Sequence, residues 1–475
     1  MRCLTDFEVP NDGEISLCEI NGRMHAMNYN YANVNAFTNT VENYPKIHIT
    51  RNLLHPVSSG DEGRALFLPV NVSFLKQLTQ VYYEQGLVGV THRFHPQSVD
   101  RFERYSSPSL INEVSQARNW SCDTIRCITW HPYVPKLAVA TCDDNVRIFS
   151  GDDNSITPLL RTKQQRNITC IAWRPLSNTE LAVGHENGII VWNVDPNSSV
   201  ARPSISNAMI LQRIEHRPVV SIAWSPKGDK LISVAACDNT ILVWDVELDK
   251  TSSLKRPGGS GNILVKWSPT GEKLFTCTNG LTFRVWDCRT WENERWSVLD
   301  GRVQSACWSN CGTTLLFATN IEPIIYGVIV KNDLIFSSDV ETSSTQAIPL
   351  FDATKIDIDG VLVGGPVQCM ESDPKGKHLA VLFQDTSCVA VFNIVREPGL
   401  QLIASSLVTG LPEEKSSTIS FVQKFDAGAC LTIGWSSGRI QYYPIVYTDL
   451  ASNSDSNQTS NTSLYSSFSV SSFNK

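Results

Sequence analysis

SIAWSPKGDKLIS, residues 221–233, contains a frame that recurs along the chain: an apolar strand ending in tryptophan, a proline two residues later and a glycine-containing turn. Versions of this frame place a tryptophan at five positions, with spacings of 43, 51, 43 and 41 residues: Trp130, Trp173, Trp224, Trp267 and Trp308. A period of about 40–45 residues is typical of a four-stranded propeller blade. The repeat therefore predicts an all-β chain built from stacked blades.

Each unit has a second half, in which an alternating strand ends in an aromatic residue. In two units this ending is Trp-Asp, at Trp244 and Asp245 and again at Trp286 and Asp287, which is the signature of WD repeats. Two degenerate copies of the frame follow, at residues 370–383 and 425–443. The count favours a WD40-type β-propeller of seven blades over residues 119–447, with an eighth sheet left open as an alternative.

The residues of the frame explain why it requires a ring. The strand Ser221 to Trp224 is apolar almost throughout, as expected for a strand covered on both faces. Pro226 fixes its own φ and Gly228 tolerates a positive φ, so the chain can reverse. The aromatic residue that ends the third strand is expected to pack on the following blade. Because one such sheet cannot bury both faces alone, the blades must stack in a closed ring.

A polar set in the third unit has a structural interpretation. His216, Asp238 and Trp244 resemble the hydrogen-bonded His-Asp-Trp set inside many WD blades, and a buried network that stiffens a turn is favoured over catalysis. We expect Asp238→Ala to lower the melting temperature without removing one specific interaction. Selective loss of a single partner at unchanged stability would count against this interpretation.

The segments outside the ring differ in character. Residues 1–20 contain a strand-like stretch, Glu14 to Ile20, that is a candidate to pair with the last blade and close the ring. Residues 21–118 predict an irregular and helical elaboration, in which residues 71–86 form an amphipathic helix. Its apolar stripe is the candidate partner surface: Phe74, Leu78, Val81 and Tyr82. Residues 448–475 are rich in Ser and Asn and are expected to be disordered.

Composition argues against several classes of function. The formal net charge is −7, which argues against a broad basic surface for nucleic acid. No apolar run reaches the roughly 20 residues that a membrane-spanning helix needs, and the N-terminus has acids where a signal peptide would be apolar. We therefore expect a protein of the cytosol or nucleus that binds no nucleic acid directly.

No constellation for chemistry is found in the sequence. The 14 cysteines are scattered without a Cys-x-x-Cys pair, so they predict buried apolar residues and no zinc site. The glycine-rich stretch at residues 256–262 lacks the Lys-Ser/Thr of a phosphate loop, and there is no Gly-x-Ser-x-Gly elbow. We expect no catalytic residues, metal or cofactor and no small-molecule substrate, and a platform for protein binding is the default.

Several stretches resemble aladin, a family of WD-repeat nucleoporins. They lie outside or between the generic WD frame, which makes them more specific than a Trp-Asp ending: NWSCDTIRCITWHP at 119–132, QQRNITCIAWRPLS at 164–177, RTWENERWSVLDGRVQSACWS at 289–309, IGWSSGRIQYYP at 433–444 and GEISLCEING at 13–22. The resemblance runs from about residue 13 to about residue 447. It departs at the C-terminus, where family members can carry a longer, Pro-rich extension.

The resemblance implies a non-catalytic scaffold nucleoporin of the nuclear pore complex. Such a protein lies at the cytoplasmic side of the pore and binds other nucleoporins, above all a transmembrane nucleoporin, so that its membrane association is indirect. The family is also linked to nuclear protein import and to mitotic spindle assembly, which implies spindle localisation and some cytoplasmic pool. The fold alone leaves an alternative: a substrate-recognition subunit of a ubiquitin ligase or another signalling assembly.

Overall fold

A computed structural model describes residues 4–11, 13–28, 44–50, 108–151, 156–195, 200–255, 259–330, 346–358, 360–397 and 399–447. The amphipathic helix predicted at 71–86 and the C-terminal tail lie outside these residues. Helical structure in the described part is limited to α1 (Pro108–Val114) and two short 3-10 helices, Leu4–Asp6 and Ile205–Asn207. None of these helices has the length and apolar character needed to cross a bilayer.

The described strands form eight sheets. Seven of them are arranged as the blades of a propeller, which confirms the predicted fold class, and the eighth is a two-stranded hairpin. In chain order the strands are β1 Glu14–Ile20 and β2 Arg23–Asn28; blade one, β3 Ile125–Trp130, β4 Lys136–Thr141, β5 Val146–Ser150 and β6 Leu159–Leu160; blade two, β7 Cys170–Trp173, β8 Glu180–His185, β9 Gly188–Asn193 and β10 Ala208–Leu211; blade three, β11 Val219–Trp224, β12 Leu231–Ala235, β13 Ile241–Asp245 and β14 Lys250–Leu254; blade four, β15 Asn262–Trp267, β16 Lys273–Thr278, β17 Thr282–Asp287 and β18 Asn293–Ser297; blade five, β19 Val303–Trp308, β20 Thr314–Thr319, β21 Ile324–Ile329 and β22 Ile348–Asp352; a hairpin, β23 Ile356–Ile358 and β24 Val361–Val363; blade six, β25 Val367–Ser372, β26 His378–Phe383, β27 Cys388–Val395 and β28 Gln401–Thr409; and blade seven, β29 Ser416–Phe421, β30 Gly428–Trp435 and β31 Ile440–Val446.

Alternate residues of a strand face opposite neighbours, and this determines where the aromatic residues pack. In β13, Leu242 and Trp244 share an apolar cluster with residues of blade two, whereas Ile241 and Val243 share one with blade four. Trp286 of β17 likewise packs with residues of blade three. The expectation that this aromatic packs on the following blade is therefore wrong. Since side chains alternate between faces, its position in the strand directs it to the preceding blade.

The turn that follows Trp224 has the backbone conformation that its glycine predicts. Gly228 has φ +68°, and a Cβ on this residue would lie 2.3 Å from the Pro175 carbonyl oxygen of blade two. The Gly228 N–H donates to the Ser225 carbonyl (2.8 Å). Glycine is thus required here both by the backbone conformation and by the neighbouring turn.

The N-terminal strand lies at the outer side of blade seven. β1 pairs in parallel with β31, with Glu19 opposite Ile445, and β2 folds back on β1 as the outermost strand. The buried Glu19 carboxylate accepts hydrogen bonds from the Ser405 and Ser406 hydroxyls of blade six (2.9 and 2.8 Å). The beginning of the chain therefore joins the last two blades to each other.

The long connection after blade five differs from its expected form. The sequence predicts an exposed polar loop at residues 337–346, nearly all of which lies outside the described residues, and an extra strand at residues 348–354. β22 is instead the ordinary outer strand of blade five, paired with β21. The inserted structure is the hairpin of β23 and β24, which lies between blades five and six in the chain. The sequence conceals this register because the third strand of blade five, Ile324–Ile329, has no Trp-Asp ending, although its first strand keeps Trp308.

Candidate functional site

The tryptophans of the repeat connect successive blades through their indole nitrogens. Three of them donate to the carbonyl oxygen of the residue that precedes the equivalent tryptophan in the previous blade: Trp224 to Ala172 (3.2 Å), Trp267 to Ala223 (3.3 Å) and Trp308 to Lys266 (3.2 Å). Trp130 instead donates to the Thr432 hydroxyl of blade seven (2.8 Å). The buried Nε1 of Trp173 has no partner among the described residues. Four of the five repeat tryptophans thus form a hydrogen bond to the neighbouring blade.

The predicted set in blade three is present and contains one residue that the sequence reasoning missed. The two nitrogens of the His216 ring contact Asp238 Oδ2 (2.8 Å) and the Ser233 hydroxyl (2.9 Å), and Trp244 Nε1 also donates to that hydroxyl (2.9 Å). Ser233 is fully buried and joins the ring of His216 to that of Trp244. A polar residue in the middle of an apolar strand was the signal that could have identified it.

The carboxyl of Asp238 is held in its ionised form. Burial by itself raises the pKa of Asp238, but hydrogen bonds from His216 and from the Thr240 amide outweigh it, and the pKa is lowered. Both His216 nitrogens and both Asp238 oxygens have hydrogen-bond partners within the blade. The geometry is that of a structural network.

The two Trp-Asp endings cap turns. Asp245 accepts from the Leu248 amide (3.0 Å), and Asp287 accepts from the Arg289 amide (2.8 Å) and from Lys273 Nζ (3.0 Å). Although burial acts in the other direction, these hydrogen bonds lower the pKa of Asp287. Trp286 Nε1 donates to the Thr276 hydroxyl (2.9 Å), so blade four repeats the Trp244–Ser233 pair of blade three.

Residues 108–123, here called the strap, cross one end of the central channel. Leu110 and Val114 of α1 share a buried apolar cluster with Ile263, Val303 and Ala236, which belong to blades four, five and three. The stripe formed by Leu110, Ile111, Val114 and Ala117 is buried, so it faces the ring and presents no docking surface. It lies where the inner strands begin.

Polar contacts fix the rest of the strap to the other blades. The Ser115 carbonyl accepts from Gln304 Nε2 (3.0 Å) and Gln368 Nε2 (2.8 Å), the inner-strand glutamines of blades five and six. The Arg118 amide donates to the Ser417 carbonyl of blade seven (2.9 Å). Trp120 Nε1 donates to the Ile168 carbonyl at the start of blade two (2.7 Å), and Arg126 of blade one stacks on the Trp120 ring. The strap therefore has polar or ring contacts with blades one, two, five, six and seven, and it shares an apolar cluster with blades three and four.

Some residues of the inner strands are only half-buried, among them Thr129 of β3, Ala223 of β11 and Lys266 of β15. One position holds Lys266 in blade four and Glu371 in blade six, and each is the residue before the tryptophan position of its blade. Glu371 accepts from the Phe421 amide (3.1 Å). Burial raises the pKa of Glu371, although Lys266 acts in the opposite direction. The inner strands of blades four and six thus carry opposite charges at equivalent positions.

Four cysteines accompany these charges in the inner strands: Cys127, Cys170, Cys307 and Cys369. Burial raises the pKa of Cys170 to about 11 and that of Cys307 and Cys369 to about 12. The thiols therefore stay protonated at neutral pH and are poor nucleophiles and metal ligands. Across the described ranges, no three His, Cys, Asp or Glu side chains are grouped to hold a metal ion, and every described cysteine is free.

The predicted partner surface cannot be placed. Phe74, Leu78, Val81 and Tyr82 lie outside the described residues, so this surface stays a prediction. All the blade residues named in the sequence analysis lie in the described part, where the five repeat tryptophans occupy equivalent inner-strand ends.

Comparison with known proteins adds the family. The model of the aladin seven-bladed propeller matches residues 106–446, which includes the strap and all seven blades. Aladin of Arabidopsis thaliana is 23% identical over 390 residues, covering 76% of this chain and 83% of that protein. The WD repeat-containing protein AAC3 of Dictyostelium discoideum is 28% identical over 245 residues, covering 48% of this chain and 47% of that protein.

A solved structure supports the fold alone. The β-propeller domain of Cps50 (Swd1) from Myceliophteria thermophila superposes with a TM-score of 0.51 at 16% identity, covering 67% of this chain and 96% of that one. The family match, in contrast, extends over well more than half of the sequence. The chain therefore belongs to the aladin family of seven-bladed propellers and is a WD-repeat scaffold protein.

Proposed function

We propose that this chain is a non-catalytic scaffold nucleoporin of the nuclear pore complex. The observation that carries the proposal is the family match over residues 106–446, because it spans the parts that distinguish this ring from a generic WD propeller. The strap is one of these parts. The stretches that resemble aladin in the sequence, residues 119–132 and 433–444 among them, form the junction of the first and last blades.

The second part of the proposal concerns where in the pore the scaffold binds and which cellular processes it supports. It binds a transmembrane nucleoporin at the cytoplasmic side of the pore, so its own contact with the membrane is indirect. From this position it supports nuclear protein import, and in mitosis it takes part in spindle assembly, with a further pool in the cytoplasm. These statements rest on the resemblance to the aladin family.

The geometry is consistent with a scaffold that carries out no reaction. The polar network of His216, Asp238 and Ser233 is internally satisfied, and the raised pKa values of the inner-strand thiols leave them protonated. Several described charges are engaged in contacts between or within blades, such as the buried pair of Arg439 and Glu414 (2.6 Å). Such a ring offers several rigid faces for simultaneous protein binding.

The test is the position of the full-length chain, fluorescently tagged at its natural expression level, in interphase cells. We expect a punctate nuclear rim and labelling of a transmembrane nucleoporin by a proximity-labelling tag on the chain. Trp224→Ala should release the protein because it opens the junction of blades two and three. Leu248→Ala, at an exposed residue of the same blade, is the matched control and should stay at the rim.

Two outcomes would contradict the proposal. A diffuse signal from a chain whose fold is verified by circular dichroism would remove the assignment to the pore. Purification of the chain with the core of a ubiquitin ligase and without pore components would favour the substrate-recognition alternative instead.

A further inference from the structure

The outer strand of blade two differs from the outer strands of the other blades. Natural sheets protect their edges with charges, proline, short strands or covering segments. The outer strands of the other six blades each have such a device: β14 carries Lys250, β18 carries Glu294 and Arg295, β22 carries Pro349, β2 carries Arg23, the two-residue β6 forms a backbone hydrogen bond with Ala201, and β28 forms backbone hydrogen bonds with Glu8. β10, with the sequence AMIL, has none of these devices and ends its sheet.

The free edge of β10 can accept another strand. β10 pairs with β9 in antiparallel register, Met209 opposite Val191 and Ile210 opposite Ile190. In an antiparallel pair, alternate residues direct their N–H and C=O groups away from the partner strand. Within the described part of the chain, no further strand pairs with β10 on this side. The outward backbone groups therefore form a template for an extended peptide.

Apolar side chains surround this edge. Of the 15 large apolar side chains that are exposed in the described residues, six lie in the two segments 156–163 and 200–215: Ile156, Val200, Ile205, Met209, Ile210 and Ile214. Ile214, 82% exposed, projects from the loop that follows β10. A cleft of about 300 Å³ adjoins them, lined by Leu159, Arg161, Arg202 and Pro203. Such a concentration of exposed apolar surface marks an interaction site.

The same two segments are basic, in contrast to the whole chain. They carry the exposed cations Arg161, Lys163, Arg202 and Arg213, and Glu215 is their one carboxylate. None of these four cations forms an ion pair with a described carboxylate. Arg202 precedes β10 and Arg213 follows it, so positive charge lies at both ends of the free edge. A ligand of complementary charge is acidic at its ends.

We propose that β10 binds an extended, acidic segment of a partner protein as a fifth strand of blade two. The backbone of the segment pairs with β10, and its flanking carboxylates contact Arg202 and Arg213. Because Met209 and Ile210 lie on opposite faces of the sheet, side chains on one face of the segment pack beside Met209 and those on the other face pack beside Ile210. A second copy of this chain is disfavoured at this edge, because antiparallel pairing of two β10 strands would place Arg213 of one near Arg202 of the other. The assignment does not depend on the cellular location of the chain.

The probe is a fluorescein-labelled nonapeptide of alternating valine and threonine with two glutamates at each end, titrated with the full-length chain and followed by anisotropy. We expect saturable binding that weakens at least about tenfold, or roughly 1.4 kcal/mol, when alternate peptide amides are N-methylated. N-methylation removes backbone donors and leaves the charge unchanged. A peptide with lysine in place of each glutamate should bind at least about tenfold more weakly as well.

Substitutions in the protein test whether the peptide binds at β10. Ile210→Glu places a negative charge, which repels the acidic peptide, at an exposed position of the free edge. It should weaken peptide binding at least about tenfold. Arg202→Glu with Arg213→Glu should do the same and reduce the salt dependence. Ser253→Glu, at an exposed position of the outer strand of blade three, is the matched control and should bind within about twofold of the parent chain.

Three results would overturn the proposal. One is the absence of saturable binding at chain concentrations up to about 1 mM, which corresponds to roughly −4 kcal/mol. Another is equal binding of the N-methylated peptide, which would show ionic attraction without strand addition. The third is concentration-dependent dimerisation in sedimentation that Ile210→Glu abolishes, which would assign the edge to a second copy. A diffuse cellular signal with intact peptide binding would contradict only the pore assignment.

Discussion

At the scale of single residues, the repeat tryptophans combine apolar burial with a hydrogen bond to the neighbouring blade. Trp224 and Trp173 occupy equivalent positions and are equally buried at 6% exposure. They differ because Trp224 Nε1 donates to Ala172 whereas Trp173 Nε1 has no described partner. A buried donor without a partner costs free energy that a satisfied one does not. The two positions therefore form a natural matched pair.

We predict that Trp224→Phe destabilises the protein by about 1–3 kcal/mol more than Trp173→Phe. The first change removes a hydrogen bond and leaves the Ala172 carbonyl without its donor, while the second removes only an unpaired N–H. Urea unfolding followed by circular dichroism measures both. Equal losses would show that the indole hydrogen bond contributes nothing between the blades.

His185 makes stability depend on pH. It is fully buried in blade two, and burial, assisted by the nearby Arg217, lowers the pKa of His185 to about 4. Between this value and the ordinary pKa of about 6.5, the unfolded chain binds a proton that the folded chain does not. Stability therefore falls as the pH is lowered through this window.

We predict that the free energy of unfolding decreases by about 1.4 kcal/mol per pH unit from pH 6.5 towards pH 4 on account of this one residue. His185→Gln should remove this part of the pH dependence. His48→Gln, at an exposed histidine, is the control and should keep it. A parallel pH profile for His185→Gln and the parent chain would contradict the prediction.

At the scale of elements, the strap is fixed by side chains from blades that are far apart in the sequence. Gln304 and Gln368 converge on one carbonyl, that of Ser115. α1 is only seven residues long, too short to be stable in isolation. Its order depends on these contacts and on the burial of Leu110 and Val114.

We predict that Gln304→Ala combined with Gln368→Ala loosens the strap and costs about 1–3 kcal/mol for each lost hydrogen bond, because the buried Ser115 carbonyl is left without a donor. Amide exchange in residues 108–123 should accelerate at least about tenfold while exchange in blade two is unchanged. Gln212→Ala, at an exposed glutamine, serves as the control. Unchanged exchange in the strap would show that its apolar contacts suffice.

At the scale of the whole molecule, the ring is closed by the N-terminal segment. Leu4, Phe7, Ile15 and Leu17 are all buried. Leu4 and Phe7 pack with residues of blades five and six, and Ile15 and Leu17 pack with Met27 and Leu411. Burying four such side chains contributes roughly 6–12 kcal/mol, which is comparable to the total stability of a protein, about 5–15 kcal/mol. Closure is therefore a large part of what keeps the blades together.

We predict that deletion of residues 1–28 leaves the ring largely open or unfolded at 37 °C, seen as a lower calorimetric melting temperature. Re-attaching residues 4–28 after residue 447 through a flexible linker of about 15 residues should restore most of the melting temperature, because that linker can span the length of β1. A truncated chain that melts like the parent would show that blade seven closes the ring without β1.

The sequence by itself determined the blades, because a strand, its turn and its terminal aromatic are local features that repeat at a fixed period. Trp130, Trp173, Trp224, Trp267 and Trp308 mark equivalent strand ends as predicted, and His216 and Asp238 are paired as predicted. Only the tertiary structure decided that Trp244 faces the preceding blade, that Ser233 completes its network, that the strap joins inner-strand residues of several blades and that no described strand pairs with the outer edge of β10. These features depend on contacts between residues up to hundreds of positions apart, as with Ser115 and Gln368. Such contacts leave no period or local motif in the chain, because they are set by the closure of the ring.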